Sequence, residues 1–290
     1  RRTSLERAIH GVRMQTLADY EHVIVDDCSR DDTESYVRGL EDPRIRYVRF
    51  DHWRGANEAR NVGIEIARSK LLTFLDSDDE FLPHRLESTV NRPDDFAAPE
   101  LLISSFQTIK KGRPRPAENP GVYLSGPELE QALMTYAVFI AGTSITVRRR
   151  TILRSGGFEP TLRRLQDREA LLKLSRHCGA QLLPQVDWIK HPSPDSISGP
   201  RAGYVESLGA MLDVHPDLAE KHRKMVGYQI ARHILADALR GRWRQVRRSL
   251  QANRRAKTLR FSILEMAAGY RAGASQRRSL SAAWKQQAQE

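Results

Sequence analysis

Short apolar segments alternate with helical segments along the first 200 residues, and this alternation limits the possible folds more than any other feature. The segments with strand character are 22–27, 44–50, 70–76 and 100–106. The segments with helical spacing and capping residues are 3–14, 29–40, 55–69 and 84–90. Because strands that alternate with helices form sheets covered on both faces, the sequence predicts an α/β fold with a mixed, mainly parallel sheet.

The pattern changes twice further along the chain. Residues 107–126 are rich in Lys, Arg, Pro and Gly, and we expect a loop there. The later segments are predicted, in order, as helix 125–136, strand 139–149, helix 165–178 and strand 180–191. After Pro200 the spacing is helical throughout. We therefore predict one domain over 1–200 and a helical C-terminal extension over 201–290.

Positive charge is concentrated in the predicted extension. The chain has a formal net charge of +11, and residues 203–290 hold 17 Lys and Arg against 7 Asp and Glu. Such a segment suits an anionic membrane surface or an anionic polymer, and a solvated helical face explains it equally well. Nucleic acid is not the expected partner, because aromatic residues for base stacking are few in this segment.

The rest of the composition indicates a globular protein. Two cysteines, Cys28 and Cys178, are too few for a disulfide framework, which fits a reducing compartment. No apolar run approaches the roughly 18–20 residues that a transmembrane helix requires. We expect a cytoplasmic protein, with a peripheral contact at the inner face of the cell membrane as one reading of the basic extension.

Two clusters of carboxylates follow two of the predicted strands. Asp26 and Asp27 end the first strand, and Asp76, Asp78 and Asp79 end the third. Ligands of open α/β sheets sit outside the carboxyl ends of the strands, so we expect both clusters to line one crevice. Carboxylates gathered in this way need a cation, and Mg²⁺ or Mn²⁺ takes a few carboxylates plus substrate phosphates. The alternative is a plain turn, which Asp and Ser also favour.

Three motifs occur in a fixed order along the chain. They are VIVDDCSRDDT, GANEARNVGIEIA and LLTFLDSDDEFLPHRL. Together they resemble the successive signatures of family 2 glycosyltransferases, and the resemblance covers roughly residues 5–200. It implies a GT-A fold and the transfer of a sugar from a nucleotide-sugar donor to an acceptor, usually with inversion at the anomeric carbon. It also implies a divalent metal, Mn or Mg, and a UDP-sugar as the most expected donor.

The first two motifs carry the predicted nucleotide contacts. The resemblance implies that Asp26 and Asp27 lie against the base, commonly uracil, and that Arg60 lies near the nucleotide, with Asn61 and Gly63 completing its motif. Asp26 and Asp27 have the alternative of capping the following helix. Arg60 has the alternative of being a surface helix arginine that pairs with Glu65 or its neighbours.

The third motif carries the predicted metal contacts. The resemblance implies that Asp76 faces the ribose and that Asp78 holds the metal on the diphosphate, while Asp79 extends the cluster and could assist. Some related enzymes use a His near the metal, and His191 follows the last predicted strand. A structural or solvated histidine is the alternative for His191. The nearby Ser196 and Ser198 could hydrogen-bond the diphosphate, or be plain loop residues.

The catalytic base is predicted at the start of a later helix. The family often has an acidic pair there whose Asp takes the proton from the acceptor, and LQDREALLKL is the matching place, so Asp167 is the candidate. Gln166 stands where the family often has Glu, which weakens the motif but keeps the candidate base. A helix N-terminal acid favoured by the helix dipole is the alternative.

A second departure concerns the beginning of the chain. The family normally opens with an apolar strand that ends in a Pro and Tyr motif, whereas this chain enters a helix at once with RRTSLERAI. We expect the first strand of the sheet to be missing, through truncation, a mis-started gene product or replacement by another segment. Its absence would leave neighbouring strands with unpaired backbone groups, and activity would depend on it.

Three functions compete on the sequence. The first is an inverting, metal-assisted glycosyltransferase acting on a glycan or lipid-linked saccharide of the cell envelope. The second is a nucleotidyltransferase, which would need a Gly-rich phosphate loop near its first strand, and none is seen. The third is a non-catalytic or inactive GT-A-like protein that binds a membrane or anionic polymer. In either membrane reading the expected headgroup contacts are Arg240, Arg242, Arg244, Arg247 and Arg248, with apolar residues on the opposite helix face.

Overall fold

The computed structural model describes residues 2–90, 99–110, 112–193 and 203–287. The strands are β1 (His22–Asp26), β2 (Ile45–Arg49), β3 (Leu71–Thr73), β4 (Asp79–Phe81), β5 (Leu101–Lys110), β6 (Arg113–Ala117), β7 (Tyr123–Leu124), β8 (Ile145–Arg148) and β9 (Ala180–Lys190). The helices are α1 (Arg2–Arg13), α2 (Thr33–Arg38), α3 (Ala56–Ile66), α4 (Glu87–Val90), α5 (Gly126–Thr135), α6 (Arg149–Arg154), α7 (Gln166–Ser175), α8 (Tyr204–Val214), α9 (Pro216–Lys221), α10 (Arg223–Ala238), α11 (Trp243–Arg255) and α12 (Ile263–Gln287).

The strands form two sheets. β1 and β2 make a parallel pair, and the larger sheet has the order β3-β8-β5-β9-β4, with β6 added to β5 and β7 added to β9. The predicted α/β fold with a mixed sheet and C-terminal helices is confirmed. The balance of directions differs, because only β1–β2 and β5–β9 pair in parallel among the described strands. Apolar periodicity reports that a segment is a strand but not which way it runs.

The predicted loop over 107–126 was wrong. β5 extends to Lys110 and returns as β6, with Gly112 at φ 70° in the turn between them. Strand β6 was not predicted because it contains Pro114 and Pro116, and proline has no N–H to donate to the hydrogen-bond ladder of a sheet. The structure accommodates both because β6 pairs with β5 at an edge and is exposed over residues 113–116.

Helices α1 and α3 pack against β1. Ile9 of α1 packs with Ile24 and Val37 in one buried cluster. On α3, Ile64 is buried, and a Cβ on Gly63 would stand 3.8 Å from a Val25 methyl, so the helix lies close on β1. In the described part of the chain, no strand joins β1–β2 to the larger sheet.

The chain forms two compact units. The first comprises Arg1–Leu129, Phe139–Pro160 and Ala170–Asp195, and the second comprises Glu130–Val138, Thr161–Glu169 and Ser196–Glu290. The predicted boundary at residue 200 stays a prediction. In the second unit α10 packs along α12, and α11 packs against α8 and α10. Of the helices in the described residues, none combines the length and apolar character that crossing a membrane demands.

Candidate active site

The acidic third motif lies in the first unit, at the end of β3. The strand ends at Thr73, so Asp76 and Asp78 stand in the connection to β4 and not on a strand through residue 76. Within that connection the backbone N–H of Asp79 donates to the carbonyl of Asp76 at 2.9 Å. The Arg7 guanidinium donates to the carbonyl oxygen of Asp78 at 3.0 Å. The segment is therefore a fixed turn that presents several carboxylates; we call residues 76–79 the acidic turn.

Arg60 reaches the acidic turn from α3. Its Nη2 lies 2.6 Å from Oδ1 of Asp76, and the two side chains are only 14% and 29% exposed. Arg60 is thus not the exposed helix arginine that the alternative interpretation required. Burial alone would raise the pKa of the Asp76 carboxyl, but the charge and hydrogen bond of Arg60, with a contribution from Lys190, lower it.

Asp79 is the most buried member of the acidic turn, at 1% exposure. Its Oδ2 accepts a hydrogen bond of 2.6 Å from the Thr143 hydroxyl. Burial raises the pKa of Asp79 to about 7, and the negative charges of Asp76 and Asp78 also raise it. Lys190 and the hydrogen bond from Thr143 act in the opposite direction. The raised pKa therefore reflects chiefly the burial of this carboxyl, to which the neighbouring carboxylates add.

The two aspartates at the end of β1 hold neighbouring segments through hydrogen bonds. Asp26 is buried and accepts from the Tyr47 hydroxyl at 2.5 Å and from the Ser29 N–H at 2.8 Å. Asp27 accepts from the backbone N–H groups of Arg54 and Gly55, at 2.6 and 2.9 Å. Neither carboxylate caps α2, whose N-cap residue is Asp32. Asp27 instead fixes the turn that leads into α3.

The helix motif after that turn has two anchoring residues that the sequence did not single out for this role. Asn57 donates to the carbonyl of Glu159 at 2.7 Å, and Asn61 exchanges two 2.8 Å hydrogen bonds with the backbone of Phe158. Gly157, at φ 64°, leaves room for this, because a Cβ there would stand 2.5 Å from the Asn61 amide oxygen. The motif thus locks α3 to the segment after α6, which holds Arg60 in place.

Asp167 lies in the first turn of α7 and is partly buried. The two residues that follow it in that turn are held by contacts within the second unit. Arg168 donates to the carbonyl of Leu133 and lies 3.7 Å from the Tyr136 ring centroid. Glu169 is fully buried and pairs with His215 at 2.8 Å. The backbone that carries Asp167 is therefore fixed, while its catalytic role stays a prediction.

His191 follows β9, and its Nε2 lies 2.7 Å from Oε2 of Glu80. This pairing is the kind of contact that a structural histidine makes, and the metal-binding role of His191 stays a prediction. Ser196 and Ser198 lie outside the described residues. By contrast, the structure brings Arg60 of the second motif into direct contact with Asp76 of the acidic turn.

Residues 1–157 match the family described as Glycosyl transferase family 2, which is more than half of the chain. The chain belongs to this family. It is 37% identical over 106 residues to the succinoglycan biosynthesis protein ExoO of Rhizobium meliloti (strain 1021), covering 37% of this chain and 30% of that protein. It is 27% identical over 181 residues to an uncharacterized glycosyltransferase of Haemophilus influenzae, covering 60% of this chain and 58% of that protein.

A third relative is the GalNAc(5)-diNAcBac-PP-undecaprenol beta-1,3-glucosyltransferase of Campylobacter jejuni, 37% identical over 95 residues, or 32% of this chain and 31% of that protein. The chain thus spans less than two thirds of the length of these curated relatives. Among solved structures, S. aureus TarS 1-349 in complex with UDP-GlcNAc aligns with a TM-score of 0.67 at 15% identity, covering 97% of this chain and 88% of that one. This likeness concerns the fold, and it confirms the predicted GT-A architecture.

The carboxylate oxygens of the acidic turn are of the kind that a hard divalent cation takes as ligands. Within residues 2–90, 99–110, 112–193 and 203–287, no three His, Cys, Asp or Glu side chains are placed to enclose a metal ion. A cation held by one or two carboxylates and completed by substrate phosphates needs no such cage, and Mg²⁺ is usually bound in that way. The acidic turn brings three carboxylates together within four residues, and this grouping fits such a cation.

Proposed function

We propose that this protein transfers a sugar from a nucleotide-diphosphate donor, with a UDP-sugar as the first choice, to a hydroxyl of a saccharide or lipid-linked acceptor. The contact of Arg60 with Asp76 beside Asp78, in a chain of family 2, is the observation that carries the proposal. Two related proteins support the donor and acceptor classes. Their names describe UDP-Glc:alpha-D-GlcNAc-diphosphoundecaprenol beta-1,3-glucosyltransferases of Escherichia coli.

The acidic turn and its neighbours would bind the donor. Asp78 would hold a divalent cation, which supplies Lewis-acid neutralisation of the departing diphosphate when it is bound, and Asp76 would face the ribose of the donor. Arg60 restrains the Asp76 carboxylate through their 2.6 Å contact and contributes a positive charge where a phosphate would arrive. We retain Asp26 and Asp27 as the proposed contacts to the base, and Asp79 and His191 as further proposed metal contacts.

Asp167 is the proposed catalytic base. Its carboxylate would take the proton of the acceptor hydroxyl as the acceptor oxygen bonds to the anomeric carbon. The bond from that carbon to the diphosphate oxygen breaks in the same step, and the departing diphosphate takes its electron pair. Attack from the face opposite the leaving group inverts the anomeric configuration. A carboxylate serves this role well because it is ionised at neutral pH.

The proposed reaction has a direct test. The protein is incubated with UDP-sugars and a polyprenyl-diphosphate-linked saccharide, with Mn²⁺ or with a chelator, and the product linkage is read by NMR. We expect transfer with inversion in Mn²⁺, and its loss in Asp167→Asn with donor binding intact. Asp213→Asn, an exposed aspartate of α8, is the matched control and should transfer normally. Donor binding with no transfer by the wild type to any acceptor of this class would favour the non-catalytic alternative.

We also propose that the protein acts at an anionic membrane surface, without spanning it. A lipid-linked acceptor keeps its diphosphate at the membrane boundary, so an enzyme that uses it gains from binding there. The surplus of Lys and Arg in residues 203–290 supports this proposal, because anionic headgroups attract basic surfaces by roughly 1 kcal/mol for each basic residue.

A further inference from the structure

The helix α11 is basic along its whole length. Its five arginines are Arg244, Arg247, Arg248, Arg254 and Arg255, and it contains no acidic residue. Over residues 240–260 the chain has nine Lys and Arg and no Asp or Glu. All five arginines of α11 are exposed, although Arg248 also forms an ion pair with Glu206. This helix therefore presents a concentrated positive surface.

Large apolar side chains lie among these arginines. Trp243 is 67% exposed, and Leu239, just before the helix, is 87% exposed. Positions 243, 247, 250 and 254 follow the 3–4 residue spacing of one helix face, so Trp243, Arg247 and Leu250 form one line. Together with neighbouring residues of the same helix they line a cavity of about 450 Å³. The apolar residues thus share the exposed face with arginines, and do not lie opposite them as the sequence led us to expect.

The other side of α11 faces the remaining helices of the second unit. Ser249, Ala252 and Asn253 are buried there, and Asn253 exchanges hydrogen bonds with the backbone of Phe261. The helix is therefore held with a fixed face outward. We call the outward surface formed by Leu239, Trp243, Arg247, Leu250 and Arg254 the α11 face.

We propose that the α11 face docks on an anionic lipid bilayer. Arg247 and Arg254 would contact lipid phosphates, while Trp243 and Leu250 enter the boundary between headgroups and acyl chains. Charge complementarity identifies the partner as anionic, and the exposed Trp243 and Leu239 favour lipid over nucleic acid, which offers leucine no apolar surface to enter. This inference rests on the membrane-bound acceptor proposed above and adds the residues that make the contact.

Vesicle binding tests the α11 face. Phosphatidylcholine vesicles with and without phosphatidylglycerol are sedimented with the protein at about 0.1 M and about 1 M salt, between which the screening length falls from about 10 Å to about 3 Å. We expect binding to anionic vesicles at low salt only. Removing both contacts with Arg247→Gln and Arg254→Gln should weaken binding about 25-fold, since each arginine accounts for about fivefold. Arg113→Gln with Arg115→Gln, exposed on β6, makes the same charge change and should bind as the wild type.

Trp243 provides a second readout. In a Trp53→Phe protein the remaining tryptophans besides Trp243 are buried, Trp188 at 0% and Trp284 at 6% exposure. We expect anionic vesicles to shift the emission to shorter wavelength. The proposal would be overturned if anionic vesicles leave the Trp243 emission unchanged, or if the two double-arginine variants bind vesicles equally. It would also be overturned if RNA shifts the emission equally and displaces the vesicles from the protein. UDP binding measured on the same variants should be unchanged, so a failure of the donor site is recognised separately.

A second inference comes from a buried hydroxyl under the acidic turn. Thr143 is fully buried in the first unit, and its Oγ1 makes two contacts with that turn. It donates to the Asp79 carboxylate at 2.6 Å and accepts from the Asp76 backbone N–H at 3.2 Å. The carbonyl of Thr143 in turn accepts from Arg85, whose guanidinium also binds the buried Asp187 carboxylate. One hydroxyl thus joins both ends of the segment that carries Asp78.

We infer that Thr143 is a positioning residue for the acidic turn. This inference rests on the proposed donor site. Losing a hydrogen bond that orients a metal ligand typically lowers metal affinity about 10–100-fold. Thr143→Val keeps the shape of the side chain and removes the hydroxyl, whereas Thr143→Ser keeps the hydroxyl. We expect Mn²⁺ and Mn²⁺–UDP binding, followed by electron paramagnetic resonance and calorimetry, to weaken at least about tenfold in the valine variant only.

Two outcomes would overturn this role. Wild-type affinity in Thr143→Val shows that the hydroxyl does not position the turn. Equal weakening in Thr143→Ser and Thr143→Val shows that packing, and not the hydroxyl, is what matters. Thr135→Val removes another buried hydroxyl, one that donates to the carbonyls of Gln131 and Ala132 in its own helix, and should bind Mn²⁺ normally. Failure of the wild type to bind Mn²⁺ and UDP would sink the proposed donor site itself.

Discussion

Replacing Asp79 by Asn should stabilise the metal-free protein at neutral and alkaline pH. The side chain is 1% exposed, and its carboxylate shares the acidic turn with two other aspartates. Asn has the same shape and its amide oxygen can still accept the hydrogen bond from Thr143. The substitution therefore removes a buried negative charge while it keeps the contact.

The magnitude follows from the pKa of Asp79, which burial chiefly raises from 3.8 to about 7. Because the folded-state pKa is the higher one, the folded protein holds its proton more tightly than the unfolded chain. The resulting stabilisation is fully present below pH 3.8 and is lost as the pH rises through about 7. A shift of about three units corresponds to about 4 kcal/mol. Asp79→Asn should thus gain up to about 4 kcal/mol over the wild type above pH 7, and little near pH 4.

Urea unfolding followed by circular dichroism, from about pH 4.5 to pH 8 in a chelator, measures this difference. Asp19→Asn, at an exposed position, is the control and should track the wild type. Adding Mn²⁺ should shrink the advantage of the variant, because a bound cation favours the ionised carboxylates. The reasoning is refuted if Asp79→Asn is less stable than the wild type at pH 8, or if their difference does not depend on pH.

Two further substitutions test the framework of the site. Arg85→Met leaves the buried Asp187 carboxylate without its 2.9 Å partner, and we expect urea unfolding to show a loss of about 3–5 kcal/mol. Adding Asp187→Leu should restore much of it, and no recovery would contradict the charge argument. Gly157→Ala places a Cβ on a residue with φ 64° and within 2.5 Å of the Asn61 amide oxygen. It should lower the free energy of unfolding by about 1–3 kcal/mol and weaken UDP binding. Gly156→Ala, at φ 84° with open space around it, separates backbone strain from that clash, and equal effects would refute the clash.

Local patterns carried most of the fold. The segments that became β1, β2, α1 and α3 have clear apolar periodicity, and the structure places them within a few residues of the predicted bounds. The acidic turn was found because three aspartates in four residues is unusual after an apolar run. Its strand was predicted too long, since β3 stops at Thr73 and the carboxylates occupy the following turn.

The residues that hold the candidate site in place could not be predicted from the sequence, for a physical reason. Arg85 and Asp187 are 102 residues apart, and Thr143 and Asp79 are 64 apart, so nothing local announces either pair. The anchoring by Asn61 likewise joins α3 to a segment 97 residues away. Such partners are set by strand order and packing, which periodicity does not encode. The motif order predicts a site at this turn, and the fold adds which residues hold the turn in place.

Calorimetry of UDP and UDP-sugar binding, with Mn²⁺ and with a chelator, tests the central claim most directly. We predict binding to the wild type that requires the metal, and a loss of at least about tenfold in affinity for Asp78→Asn. Asp19→Asn serves again as the exposed control and should bind as the wild type. A metal-assisted donor site at the acidic turn would be contradicted if the wild type does not bind UDP in Mn²⁺. It would also be contradicted if the wild type binds equally well in the chelator, or if Asp78→Asn binds as well as the wild type.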